Sequence, residues 1–451
     1  MSPALPMLLI ALASTLAHPV PAIYWGEYPS VVAALRDASI WQALQWQAMV
    51  HSPGMTRPAR ALIWWLGAGW PPWGVGVVNA MAVSAMAGAV TQIAWVVTLG
   101  RWWAAIGAGL AVLASYASVY PLLPFLGFGV SAALALVGVA WFFSGGRGWV
   151  CALWLLMGGL GHETLLALAL VPMAWVVWVD GRRETWGRAW PSALVPAIYL
   201  TVSVSTTAHP VWWPGAVPWT TPARVLTTLA TAGAPLEILR AMPWLPEFAQ
   251  VREVVVMPWG MVTTLAMVIP PLILTWLAWR RGSRRCGFLA TWLGLASAPL
   301  LVSGAPEAFH LTGALVALWV LWAMIPWRHW RWVVVLMALW AAPHLWARWV
   351  LYTHDLPVIA RTVQWVEEAI EDAKARGIVV KLAGVPVLVG AHYGQLPTIP
   401  GAAGRVCIQG EPRWLGRGKA WTVPRAEGQG WIAGPPARAR HEQWQHLDRC
   451  W

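Results

Sequence analysis

Residues Gly74–Arg101 read GVGVVNAMAVSAMAGAVTQIAWVVTLGR. No charge interrupts the run, and it ends on an arginine. A helix of about 20 residues crosses the ~30 Å hydrocarbon core of a bilayer. The stretch 74–99 therefore predicts a membrane helix with its C-terminal end marked by Arg101. Outward from it, ten more apolar stretches fall at about 5–23, 102–120, 122–143, 147–160, 162–179, 190–207, 258–279, 286–303, 308–326 and 332–351. The first has no Lys or Arg ahead of it, and Pro6, Pro19 and Pro21 interrupt it. It reads as a membrane helix rather than a cleaved signal peptide.

The composition agrees. The chain is 59% hydrophobic and only 11% charged, against roughly 25% charged for a soluble domain. The net charge of +12 does not argue for nucleic acid. The arginines are spread over loops and form no face. The 39 tryptophans lie mostly within or beside apolar runs, and Trp is enriched at bilayer interfaces.

The arginines alternate along the chain. Arg101 follows span two and Arg147 span four. Arg182, Arg183 and Arg188 follow span six. Arg280, Arg281, Arg284 and Arg285 follow span eight, and Arg328 and Arg331 span ten. The short turns after odd spans, Tyr120–Pro124 and Gly304–His310, carry no Lys or Arg, although the two longer odd-side loops carry some Arg. The positive-inside rule puts the even side in the cytoplasm. The N-terminus is then inside, and loops 24–60 and 208–257 and the C-terminal region are outside. The expected fold class is an all-α polytopic membrane protein of about 11 transmembrane helices in a cytoplasmic (inner) membrane. Its membrane domain covers 1–351 and a small extracytoplasmic α/β appendage covers 352–451.

Within the first outer loop, Val31–Val50 has apolar residues at helical spacing (Val32, Leu35, Ile40, Leu44). It reads as a helix lying on the interface. Ala61–Trp70 reads as a second, shorter one. In the appendage, Leu356–Ala375 predicts a helix, and two β-like runs, Ile378–Leu382 and Val385–Val389, flank a Gly-Val-Pro turn. An extracytoplasmic tail permits a disulfide between Cys407 and Cys450; two separate thiols fit the sequence equally.

Few ionisable groups lie near the apolar runs, and the chief ones share the outer side. Glu27 follows the first helix in Tyr24-Trp-Gly-Glu-Tyr-Pro-Ser30. A carboxylate there can accept a proton from an incoming hydroxyl or help hold a divalent cation; a solvated loop acid is the ordinary alternative. His162 and Glu163 lie between two apolar runs. An acid at a helix centre in the bilayer costs at least ~2.5 kcal/mol. Either the pair lines a polar cavity or Glu163 stabilises the first turn of span six through the macrodipole. Arg57 can bind a phosphate bidentately, or meet lipid headgroups. His441, Glu442 and His446 have the wrong spacing for a zinc helix.

Three stretches carry a family resemblance: Thr56-Arg-Pro-Ala-Arg-Ala-Leu62, Trp73-Gly-Val-Gly-Val-Val-Asn-Ala80 and Gly161-His-Glu-Thr-Leu-Leu166. Together with an acid after helix one, they resemble the GT-C class of polytopic glycosyltransferases, in particular its bacterial protein-mannosyltransferase-like branch. The resemblance spans about residues 5–350. Tyr28 stands where a second acid is expected, Ala59 where Arg-Pro-Leu has Leu, and Val83 where a His is often found. The resemblance implies transfer of a sugar, with inversion, from a polyprenyl-phosphate donor to a protein or glycan acceptor. Glu27 would be the catalytic base, and Glu163, oriented by His162, would position the acceptor or a metal. Arg57 and Arg60 would bind the donor phosphate. A divalent metal (Mg or Mn) is compatible, and no other cofactor is implied. The donor's lipid tail would need a lateral groove, and Trp212, Trp213 and Trp219 offer surfaces on which sugars stack. The alternatives are a transporter or flippase-like protein for a lipid-linked substrate, or an inactive scaffold of the same class.

Overall fold

The computed structural model describes residues 2–16, 39–44, 57–67, 70, 72–115, 126–206, 220–233, 260–280, 282–301, 311–350, 371, 375, 380–383 and 406–409. They form an all-α fold with one pair of short strands. In chain order the helices are α1 (Ala4–Leu16), α2 (Pro58–Gly67), α3 (Pro72–Val97), α4 (Trp102–Ala114), α5 (Leu126–Phe143) and α6 (Gly148–Gly161). A 3-10 segment, Glu163–Leu170, leads into α7 (Val171–Trp178). Then come α8 (Arg183–Thr206), α9 (Thr220–Ala230), α10 (Gly260–Trp279), α11 (Arg284–Leu301), α12 (Thr312–Ala323) and α13 (Trp330–Val350).

The centre is α12, in which every residue from Thr312 to Ala323 is buried. A helix apolar all round must be covered on all sides, and α4, α10 and α11 pack on it. An edge-to-face set of rings joins α5, α7 and α11: Phe143 on Trp175 at 4.8 Å, and Trp175 on Phe288 at 5.1 Å. Outer helices turn apolar stripes away from the core. On α10, Leu265, Ile269, Leu272 and Trp276 recur at helical spacing and are all exposed. This inverts the polar outer face of a helix on a water-soluble domain.

Several helix ends meet. Ser2 Oγ donates to Gln92 Oε1 near the end of α3, and Gln92 Nε2 donates to Ser144 Oγ after α5 at 3.0 Å. Arg101, Val179, Arg284, Arg285 and Met324, from four inter-helix connections, line one cleft. At the other end, Trp340 Nε1 donates to Thr231 O at 2.9 Å, tying α13 to the turn after α9.

Chain reversal after α3 is sharp. Leu99 and Gly100 take φ values of 59° and 81°, and the Gly100 N–H returns to Trp95 O at 2.8 Å. That closes the last turn with a left-handed cap, which glycine adopts at low cost.

The described residues differ from several expectations. Among them, one helix, over Gly74–Val97, is long and apolar enough to cross a membrane by length and composition. Shorter apolar helices of 10–17 residues occupy several other expected spans. α8 has the length, with 24 residues, but carries Arg183, Glu184, Arg188 and two interior prolines. It starts at Arg183 rather than at 190, because its charged first turns are helical too. The expected helix 162–179 is a 3-10 segment followed by α7. β1 (Val380–Ala383) pairs in parallel with β2 (Val406–Gln409), placing Lys381 opposite Cys407. A turn of three residues cannot join parallel strands, so the Gly-Val-Pro hairpin does not describe this pair. The interfacial stretch 31–50 is described only at 39–44, where 40–44 is helical. The appendage helix is described only at Glu371 and Ala375, both helical. Glu27, Trp212, Trp213, Trp219, the run 385–389 and Cys450 lie outside the described residues.

Candidate functional site

Arg57 is fixed by the start of α2. Pro58 supplies a preset φ at the first helical position, and Arg57 O accepts the Ala61 N–H at 3.1 Å. α2 packs on α5 and α6, which brings its first residue to the C-terminal end of α6. There the chain breaks. His162 is extended, with φ −159° and ψ 120°, and the 3-10 segment begins at Glu163. Runs of 3-10 helix longer than 3–4 residues are uncommon, and a stretch in mid-helix often marks a hinge or strain; this one has eight residues.

Glycines let α6 reach its place. A Cβ at Gly161 would overlap Ser131 Oγ on α5, and one at Gly158 would lie 2.7 Å from Ala135 Cβ. The backbones of α5 and α6 therefore touch just below the break.

At the break, Arg57 and Glu163 form a bidentate ion pair across 106 residues of sequence. Arg57 Nε donates to Glu163 Oε2 at 2.7 Å and Nη2 to Oε1 at 2.6 Å. The two side chains are 16% and 19% exposed, so water screens the pair only in part. Fork-on-fork pairs add fixed geometry to their energy. Glu163 thus opens a 3-10 segment rather than an α-helix, and the guanidinium faces it directly.

His162 is buried. Its Nδ1 lies 2.9 Å from Thr164 Oγ1 and 4.0 Å from Glu163 Oε1. Its ring meets Phe128 edge-on at 4.9 Å. Thr164, Phe128 and Ser131 complete the surroundings. Thr164 stood in the Gly-His-Glu-Thr stretch; nothing local in the sequence pointed to Phe128 or Ser131.

Of the five candidate residues, the structure brings Arg57, His162 and Glu163 together. Arg60 is buried, with its guanidinium over the Trp64 ring at 4.2 Å. Glu27 lies outside the described residues. Among the described residues, no group of three or more His, Cys, Asp or Glu is placed to hold a metal ion. Both Glu163 oxygens are also engaged by Arg57, so Glu163 and His162 as placed do not fit a metal. The arrangement can orient a guanidinium rigidly beside a buried imidazole at a helix break.

No protein-family model matches the chain, and neither a curated protein nor a solved structure matches it.

Proposed function

We propose that the chain is a polytopic inner-membrane glycosyltransferase of the GT-C type, taking sugar from a polyprenyl-phosphate donor at the outer face. The observation that carries the reading is the Arg57–Glu163 pair. Two motif residues chosen for separate reasons meet at one partly buried place, beside His162. The outward apolar stripes support a membrane setting, since large exposed apolar surface marks a membrane or partner contact. A lateral groove of about 490 Å³ between α4, α12 and α13 has walls that are almost wholly apolar, including Ile106, Trp319 and Met337.

In the mechanism, Glu163 holds Arg57 in a fixed orientation, and Arg57 attracts the donor phosphate. Glu27 takes the acceptor proton as the hydroxyl attacks the anomeric carbon, and the bond to phosphate breaks with inversion. His162 sets the local polarity at the break.

The test is Glu27→Gln in membranes supplied with a radiolabelled prenyl-phosphate sugar. Transfer falls by at least about 100-fold while insertion is unchanged; full transfer by this variant would remove Glu27 from the reaction. Topology is read separately. A membrane-impermeant thiol reagent applied from outside labels Gly390→Cys and not Ser283→Cys. The opposite labelling inverts the orientation.

The 3-10 break favours a second reading, a transporter for a lipid-linked substrate, because interrupted helices line transport sites. That reading expects a matching break in a paired half. Flux of a labelled prenyl-phosphate lipid in proteoliposomes, with no sugar transfer, decides for it.

A further inference from the structure

A second polar feature lies at the far end of the Glu163–Trp178 segment from the ion pair. Arg101, Arg284 and Arg285 line a cleft of about 380 Å³ together with Thr98 and Ser283. Arg101 and Arg285 are half-buried, and Arg285 feels the charge of Arg101. Like charges brought together repel, so the cleft is unfavourable unless an anion joins it. Among the described residues, no carboxylate pairs with any of the three. Asp180, next to Val179 on the cleft wall, is already held by Arg182 through bonds of 2.7 and 2.6 Å. The first turn of α11 starts at Arg284, so its dipole adds positive potential, while Ser283 accepts the Cys286 N–H.

The cleft also adjoins the apolar groove. Arg101 lines the cleft and Trp103 lines the groove. They are two positions apart, at most about 7 Å of chain. Met324 lines the cleft while Ala323 and Ile325 line the groove. Cationic cleft and dry groove thus meet at the seam between α4 and α12. Along α4 the groove runs from Trp103 to Ala114, about 17 Å of helix.

We propose that this composite site binds a phosphate-bearing lipid, its phosphate among Arg101, Arg284 and Arg285 and its chain along the α4/α12/α13 groove. The inference rests on the membrane setting of the proposed function and not on sugar transfer. It places a lipid-phosphate site at the opposite end of the bundle from Arg57. Guanidinium forks suit phosphate oxygens, and the continuous apolar wall selects a phosphate that carries a chain. Gly107 lines the groove with open space where a side chain would go, so a bulky residue there obstructs the tail without touching the arginines.

The experiment uses the full chain in detergent and reads retained lipid by native mass spectrometry. The probes are phosphatidic acid, diacylglycerol with the same chains, and inorganic phosphate. Phosphatidic acid is retained about tenfold or more over diacylglycerol, and higher ionic strength weakens it. Arg101→Gln/Arg284→Gln/Arg285→Gln removes that preference, and the corresponding triple Lys variant keeps most of it. Gly107→Trp weakens phosphatidic acid and leaves inorganic phosphate unchanged. Undiminished preference in the Gln variant overturns the proposal, as does retention of phosphatidic acid that Gly107→Trp leaves unchanged. Should the Gln variant fail to fold, Gly107→Trp and the salt dependence decide alone. Glu27→Gln leaves lipid retention intact, so failure of sugar transfer and failure of lipid binding are read apart.

Discussion

Arg57 and Arg285 sit at opposite ends of the Glu163–Trp178 segment and meet opposite surroundings. Arg57 faces a carboxylate that takes both arms of its fork. Arg285 faces Arg101 and an open cleft. The first arrangement is complete within the protein: removing either partner strands a charge in a poorly hydrated place. The second is completed by something from outside. The comparison teaches that arginines of similar burial can be oriented by a carboxylate at one end and left facing an open cleft at the other, and that the partner decides which.

The largest effect is expected where the pair is broken. Glu163→Ala leaves the Arg57 guanidinium partly buried and unmatched, and lowers stability by about 3 kcal/mol, measured as thermal unfolding in detergent. The exchange Arg57→Glu with Glu163→Arg recovers part of that loss. An unchanged unfolding midpoint in Glu163→Ala would end the contrast between the two ends. Next in size is Gly161→Leu, which forces α6 off Ser131 and costs about 1–3 kcal/mol. Because Gly161 precedes the break, this variant also loosens the Arg57 contacts, visible as faster hydrogen exchange in α2. A smaller effect of opposite sign follows neutralisation at the other end. Arg284→Gln/Arg285→Gln is neutral or stabilising by less than about 1 kcal/mol in lipid-free detergent, since it relieves repulsion. Clear destabilisation there would show that the cleft arginines also hold the fold.

The smallest effect concerns Asp180. Its carboxyl is held down at about 2, below its ordinary value of 3.8, chiefly by the hydrogen bond from Arg182. A depressed acid contributes stability above its unfolded pKa and loses it as pH falls through the folded one. The Asp180–Arg182 pair therefore persists from neutral pH to below pH 4 and contributes no titration near neutrality. Asp180→Asn lowers the unfolding midpoint only slightly at pH 7, and the difference closes as pH falls toward 2; a large shift at pH 7 would signal that Arg182 is needed elsewhere.

What the sequence disclosed followed from local physics. Apolar runs and the arginines after them located α3, α6 and α11 to within two or three residues, because length and charge are properties of a segment. They also put Arg57 and Glu163 on one side. Their pairing was not legible, since it spans 106 residues and depends on how α2 docks. The 3-10 geometry was hidden too. Glu-Thr-Leu-Leu-Ala-Leu-Ala-Leu is rich in good α-formers, and tertiary packing overrode that preference. The pairing of β1 with β2 was not legible because alternation identifies a strand but not its neighbour; a parallel mate 26 residues on, Val406 for Val380, leaves no short-range trace.

The 3-10 segment has a metrical consequence. Each of its residues advances about 2.0 Å, against about 1.5 Å in α-helix. Glu163–Leu170 and α7, eight residues each, therefore reach about 28 Å, where an uninterrupted α-helix would reach about 24 Å. Sixteen residues thereby approach the thickness of a hydrocarbon slab. Rewinding the segment into α-helix would draw its two ends some 4 Å closer, and the grip of Arg57 on both oxygens of Glu163 could not survive that contraction unless α2 travelled with it.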